Sequence, residues 1–157
     1  MTRLLFVCLG NICRSPLAAG VFRQLVEDNG LTALFEVDSA GTYGYHAGQH
    51  ADLRAQKTAH RHGVDLRPHR ARAVEAADFE EFDYIYAMDR SNYADLMDIC
   101  PRGRETKVSL LLKAAPQLGI DEVPDPYYGV GNGFEQVFSM IDASCRALLE
   151  ALRRRHG

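Results

Sequence analysis

Short β-rich runs alternate with amphipathic helical segments along most of this chain, and that alternation leaves few folds open. Arg3 to Leu9, "RLLFVCL", is a nearly continuous apolar run of strand length. Ser15-Pro16 then opens a helical stripe through Leu17, Val21, Phe22, Leu25 and Val26 that stops at Asn29-Gly30, since serine before proline starts helices and glycine ends them. Phe35 to Gly41 reads as a second strand and Ala51 to His62, closed by Gly63, as a second helix. A third strand is expected over Phe82 to Asp89, followed by a helix from Ser91 to Ile99. Lys107 to Leu112, "KVSLLL", is a fourth strand or the start of a helix. A long last helix carries Phe134, Val137, Phe138, Ile141, Cys145, Leu148, Leu149 and Leu152 on one stripe, with Asn132 and Glu135 spaced as a capping box. Strands separated by helices pair in parallel, because each helix returns the chain across the sheet. The expected fold is α/β: one domain over residues 1–157, a four-stranded parallel sheet with helices on both faces, and a phosphate-binding loop after the first strand.

The whole-chain balance removes several function classes. With 157 residues, 46% of them apolar, the chain can bury roughly two-thirds of the surface its unfolded form exposes, so folding needs no disulfides. A formal charge of -3 gives no global field for nucleic acid or an anionic membrane. The terminal "RRRHG" reads as cations complementing a helix dipole rather than as a nucleic-acid patch. No segment approaches the ~20 apolar residues of a membrane span, and Leu4 to Leu9 is too short for a signal-peptide core. A cytoplasmic protein is expected, in which the four cysteines are reduced and serve separate purposes.

The stretch "VCLGNICRSP", Val7 to Pro16, is the turn between the first strand and the first helix, at the carboxyl edge where open α/β sheets bind ligands. Successive backbone N–H groups above a helix N-terminus form a cradle for a tetrahedral anion, here from Leu9, Gly10, Asn11, Ile12, Cys13, Arg14 and Ser15. Gly10 allows close backbone approach, and Asn11 tolerates the left-handed region. The familiar nucleotide loops are excluded: Gly-Lys followed by Ser or Thr occurs nowhere, and "GVGNG" at 129–133 misses the dinucleotide spacing and follows no strand. What remains is Cys8, five residues, Arg14 and then Ser15. A cysteine at the base of such a cradle has its thiolate stabilised by the N–H groups that would hold phosphate, which makes it a nucleophile. Arg14 supplies a planar fork for two phosphoryl oxygens. Ser15 can donate its hydroxyl to the Cys8 sulfur or cap the first helix, two compatible roles.

A leaving oxygen also needs a proton. Asp125, between Pro124 and Pro126 on a stiff loop, is either that acid or a turn-forming aspartate before proline. Tyr127 and Tyr128 beside it, with Tyr43 or Tyr45 after the second strand, are placed to wall a slot for a flat aryl group or simply to pack a loop surface. Cys13 on sequence alone reads as a small buried filler, while Cys100 and Cys145 read as structural. His60 and His62, two apart on a helix, face different sides and share no metal. No metal and no cofactor is expected.

Taken in order, "FVCLGNICRSP", "VDSAGT", "YAMDRSN", "VPDPYYG" and "GFEQV" resemble the low-molecular-weight protein tyrosine phosphatases over nearly the whole chain. Separated motifs in the right order are far more specific than one Cys-to-Arg spacing. The resemblance implies phosphotyrosine hydrolysis through a cysteinyl-phosphate, with Cys8 as nucleophile, Arg14 as phosphate clamp and Asp125 as general acid and base. It implies a loop-supporting network of Asn11, Ser15, Ser39 and His69, and a reversible Cys8 to Cys13 disulfide. It further gives Tyr45 the aromatic wall and Ile12 the place where the related arginine phosphatases carry threonine. The "AMDRSN" and "GFEQV" forms look bacterial, which points to a bacterial tyrosine kinase of surface-polysaccharide export as the phosphotyrosine-containing partner, and to a monomer or weak dimer. Two other readings share parts of this pattern. A thioredoxin-coupled arsenate reductase needs a second cysteine near Cys100, where none stands, and a phosphocysteine carrier has no need of Asp125.

Overall fold

A computed structural model describes residues 1–127 and 133–156 of the chain. Four strands, β1 (Thr2–Cys8), β2 (Phe35–Gly41), β3 (Tyr84–Ala87) and β4 (Val108–Leu110), form one all-parallel sheet in the order β2-β1-β3-β4. The helices are α1 (Arg14–Asp28), α2 (Leu53–Arg61), α3 (Asp78–Glu81), α4 (Arg90–Ile99) and α5 (Gly133–His156). The chain moves from β1 outward to β2, then returns to the other side of β1 for β3. That reversal opens a crevice at the carboxyl end of β1, the place where sheets of this kind bind ligands.

Side chains of β1 alternate between two cores, because successive residues of a strand face opposite ways. Leu4, Phe6 and Cys8 face a core shared with α1, α2 and α5, whereas Leu5 and Val7 face one built with α3, α4 and β4. A strand covered on both faces must be apolar throughout, and this accounts for the unbroken run from Leu4 to Val7, all fully buried. Gly20 of α1 lets the next layer approach: a Cβ there would stand 2.6 Å from Leu66 Cδ2 and 2.9 Å from Val64 Cγ1.

Several boundaries differ from those the sequence suggests. The run at 107–112 divides: β4 covers Val108–Leu110, and Leu111–Ala114 turns into a 3-10 helix whose Leu111 and Leu112 are fully buried. The strand and helix readings of that run are each right for half of it. β3 is shorter than Phe82 to Asp89, because Asp89 leaves the sheet to cap α4 in a reciprocal capping box with Asn92. α3, with only four residues, is too short to show a period. Asn132 lies outside the described residues, and the Glu135 carboxylate accepts from Arg61 Nε at 2.8 Å and pairs with His62 Nε2 at 2.8 Å. Two of the terminal arginines pack against the protein, Arg155 over the Tyr84 ring and Arg153 on Asn29. No helix among the described residues is long and apolar enough to cross a membrane.

Candidate active site

The loop from Cys8 to Ser15 is shaped by one buried asparagine. Asn11 takes φ 58°, in the left-handed region that few side-chain-bearing residues tolerate. Its amide fixes that conformation from three sides: Nδ2 donates to Ser15 Oγ at 2.8 Å and Ser39 Oγ at 3.0 Å, and Oδ1 accepts from the Arg72 N–H at 2.9 Å. Asn11 and Ser15 are fully buried, so an unmade bond here would carry the full desolvation cost of a polar group, about 1–3 kcal/mol. The Arg72 guanidinium is itself clamped by both carboxylate oxygens of Asp78 at 3.0 Å.

The loop's carbonyls are turned outward to donors behind it. Cys8 O accepts from Thr42 N at 2.9 Å, Leu9 O from Tyr43 N at 2.9 Å and Ile12 O from Asp52 N at 2.8 Å. Asn11 O accepts from His69 Nε2 at 2.7 Å, which assigns the ring proton to that nitrogen. Burial pulls the His69 imidazole below its ordinary value, with the Asn11 carbonyl acting in the opposite sense. Gly41, paired with Cys8 across the sheet, leaves room for the curl, since a Cβ there would stand 2.7 Å from Leu9 O and 3.1 Å from Asn11 N. At Gly10 the requirement is space rather than dihedral, because a Cβ would meet His46 Cδ2 at 2.9 Å.

Ser15 resolves its two readings. α1 starts at Arg14 with Cys13 at the N-cap and no side-chain capping bond, so Ser15 is not the cap. Its Oγ stands 3.0 Å from Cys8 Sγ. It accepts from Asn11, and its own proton faces two acceptors, the sulfur at 3.0 Å and Ala40 O at 3.4 Å, of which the sulfur is the nearer. Pro16 sits in the first turn of α1, where no intrahelical N–H is needed.

Arg14 is almost completely buried, and one guanidinium nitrogen is fixed: Nη1 donates to Asp89 Oδ2 at 2.6 Å and to Val123 O at 2.8 Å. Nη2 lies 3.7 Å from Asp125 Oδ2. Asp125 is about a third exposed, and its Oδ1 accepts from the Tyr127 N–H at 2.9 Å. A cavity of about 270 Å³ joins these groups, lined by the buried Cys8, Ile12, Cys13 and Arg14 and by Asp125, Tyr43, Tyr45, His46 and Tyr127. The Tyr43 and Tyr45 rings are stacked at 6.2 Å, and the His46 ring lies between Tyr45 and Tyr127, at 5.2 and 6.4 Å. Tyr128 falls outside the described residues.

Cys13 is buried, and that burial, reinforced by the Asp52 carboxylate and by Cys8, pushes its thiol well above the ordinary range. All four cysteines are free; Cys145 is buried and directs its sulfur at Ala18 O. Among the described residues no group of histidine, cysteine, aspartate and glutamate side chains is arranged to hold a metal ion.

Sequence reasoning missed Asp89, Val123 and His46. Asp89 carried a usable signal, the D-x-x-N spacing of a helix start over Asp89 and Asn92. The Val123 carbonyl and His46 carried none, because only the folded chain brings them to Arg14 and Gly10.

Comparison with known proteins gives the family. Residues 3–156 match the family model of the low molecular weight phosphotyrosine protein phosphatases. The chain is 44% identical to a low molecular weight protein-tyrosine-phosphatase of Streptomyces coelicolor, over 96% of this chain and 93% of that one. It is also 44% identical to the human low molecular weight phosphotyrosine protein phosphatase, over 94% and 93% of the two chains. A crystal structure of a protein tyrosine phosphatase from Entamoeba histolytica, with Hepes in its active site, superposes with a TM-score of 0.95 at 40% identity, covering 100% of both chains. Family model, relatives and fold agree, and the chain belongs to the low molecular weight phosphotyrosine protein phosphatases.

Proposed function

We propose that Cys8, Arg14 and Asp125 carry the reaction of this protein-tyrosine phosphatase through a cysteinyl-phosphate intermediate. The observation that supports it most is convergence: Cys8, Arg14 and Asp125 line one cavity with tyrosine rings, Asp125 lies 3.7 Å from Arg14, and Ser15 Oγ stands behind Cys8 Sγ at 3.0 Å. The Cys8 thiolate attacks phosphorus and the bond from phosphorus to the aryl oxygen breaks. Asp125 passes its proton to that oxygen, so that a phenol leaves rather than a phenolate. A water then attacks the phosphorus, the Asp125 carboxylate takes its proton, and the sulfur departs as thiolate while Ser15 donates to it. With Nη1 held by Asp89 and Val123, the remaining edge of the Arg14 fork faces the phosphoryl oxygens and follows their charge through both steps. The outward carbonyls of residues 8, 9, 11 and 12 turn the intervening N–H groups to the same oxygens.

Acid quenching during steady turnover of an aryl phosphate is expected to capture up to one phosphoryl group per chain, on the Cys8 sulfur, as read by mass spectrometry of the loop peptide. Phosphate found on another residue, or on none under saturating substrate, would refute this route.

The phosphotyrosine slot runs from Ile12 to the Tyr45 and Tyr127 rings, which offer stacking faces to a flat aryl group. A bacterial tyrosine kinase as the substrate protein rests on the "AMDRSN" form of the loop after β3. A cytoplasmic setting rests on four free thiols, and a monomer or weak dimer on the resemblance to the family.

Cys13 serves the same site under oxidation. Peroxide transfers an oxygen to the Cys8 thiolate, giving a sulfenic acid; the Cys13 sulfur attacks it, water leaves, and a disulfide protects the nucleophile until a thiol reductant restores it. Mild peroxide should therefore inactivate reversibly, and in Cys13→Ala the loss should become largely irreversible. Equal recovery in both proteins would leave Cys13 a packing residue.

A further inference from the structure

Within its own loop, Asp125 Oδ1 accepts from the Tyr127 N–H at 2.9 Å. The Tyr127 ring, however, lies on a guanidinium from another part of the chain. Arg54 Cζ stands 5.4 Å from the Tyr127 ring centroid and 4.8 Å from that of Phe134, the second residue of α5. One planar cation thus touches rings on both sides, in sequence, of residues 128–132. A guanidinium suits this place because its flat, weakly hydrated face stacks on aromatic rings while its edge forms ion pairs.

The other side of Arg54 leads to the cradle. Its Nε and Nη2 donate to the two oxygens of Asp52 at 3.1 and 3.0 Å, and its backbone N–H donates to the same carboxylate at 2.8 Å. Asp52 is the N-cap of α2, and its own N–H donates to Ile12 O in the phosphate loop at 2.8 Å. A chain of direct contacts therefore runs from Ile12 through Asp52 and Arg54 to Tyr127 and Asp125. About half of the Arg54 side chain is exposed, so it is no core residue, and it does not line the catalytic cavity.

We infer that Arg54 is a positioning residue for the general acid: its ion pair with Asp52 and its contacts with the Tyr127 and Phe134 rings set the Asp125 loop at a fixed height over the cradle. This rests on the assignment of Asp125 as the acid. The consequence is selective. Loosening Arg54 leaves the nucleophile and the anion site intact and degrades only proton delivery, which matters most when the leaving oxygen is basic.

The test is single-turnover phosphorylation of Cys8 by aryl phosphates of graded phenol pKa, in wild type, Arg54→Ala, Arg54→Lys, Asp125→Asn and the double variant. Arg54→Ala is expected to slow the reaction about tenfold for a tyrosine-like leaving group, as small misplacements of a catalytic group do, with little change for a nitrophenolate. Inhibition by inorganic phosphate should be unchanged. Arg54→Lys, which keeps the charge but loses the planar fork, should fall between. In the Asp125→Asn background the same change should add nothing. An unaltered dependence on leaving-group pKa in Arg54→Ala, a uniform loss across all substrates, or weakened phosphate binding would overturn the proposal while leaving Asp125 in place. If Asp125→Asn itself fails to steepen the dependence, both assignments fall together.

Discussion

Replacing Cys8 by serine is expected to abolish turnover of aryl phosphates, by a factor on the order of 10⁶, the scale seen when a hydrolase loses its nucleophile. The serine hydroxyl would keep the place of the sulfur, close to the Ser15 hydroxyl, but it is far less nucleophilic, and that hydroxyl neighbour is no base to activate it. The anion site should survive. Its shape comes from Asn11, His69 and the outward carbonyls, and its charge from Arg14, none of which the substitution touches. Inorganic phosphate should therefore still bind the variant, as followed by calorimetry, while steady-state hydrolysis disappears. Wild-type activity should persist in EDTA, because Arg14 and the loop N–H groups supply the charge stabilisation that a metal provides elsewhere. Retained turnover in the variant, or loss of wild-type activity on chelation alone, would overturn the cysteine mechanism.

The parts of the site that lie close together in the chain were legible before the fold was known. β1, the loop and α1 form one continuous stretch, so the strand-length apolar run, the Cys8 to Arg14 spacing and the Ser-Pro helix start could be read in register. Asn11 was read correctly as the residue that would tolerate a positive φ, since that property belongs to the side chain itself. The choice between cap and sulfur partner for Ser15 was not legible. It depends on where α1 begins, and the helix starts one residue before Ser15 and leaves its hydroxyl facing Cys8.

What escaped the sequence was the support from distant segments. Asp89 reaches Arg14 from the N-cap of α4 and Val123 from a loop tied to Met88 O, and Arg72 reaches Asn11 by its backbone. Such partners are set by strand order, with β3 beside β1, and no local spacing reports that. β4 shows the opposite limit. Val108 to Leu112 is apolar except for Ser109, and short apolar runs of this kind do not distinguish strand from helix; the short pairing with β3 and the burial of Leu111 and Leu112 decide where one ends and the other begins.

The remaining large effect concerns Asp125. Asp125→Asn is expected to slow phosphorylation of Cys8 by roughly 10² to 10⁴-fold for a leaving group as basic as tyrosine, the usual contribution of a positioned general acid. The asparagine can still accept the Tyr127 N–H bond that orients the side chain, so the loop geometry is conserved and only the proton is lost. The penalty should shrink for nitrophenolate, which departs readily without one. Arg14→Lys should behave differently. A lysine cannot keep both the Asp89 and Val123 contacts and a bidentate hold on phosphate, so charge stabilisation falls for every substrate, whatever its leaving group. The two variants are thus separated by the slope of log rate against phenol pKa: steeper than wild type in Asp125→Asn, parallel but lower in Arg14→Lys. Parallel lines in both would make Asp125 a turn residue and place the acid elsewhere; a steeper line in Arg14→Lys would show that its 3.7 Å approach to Asp125 matters more to the proton than to the phosphate.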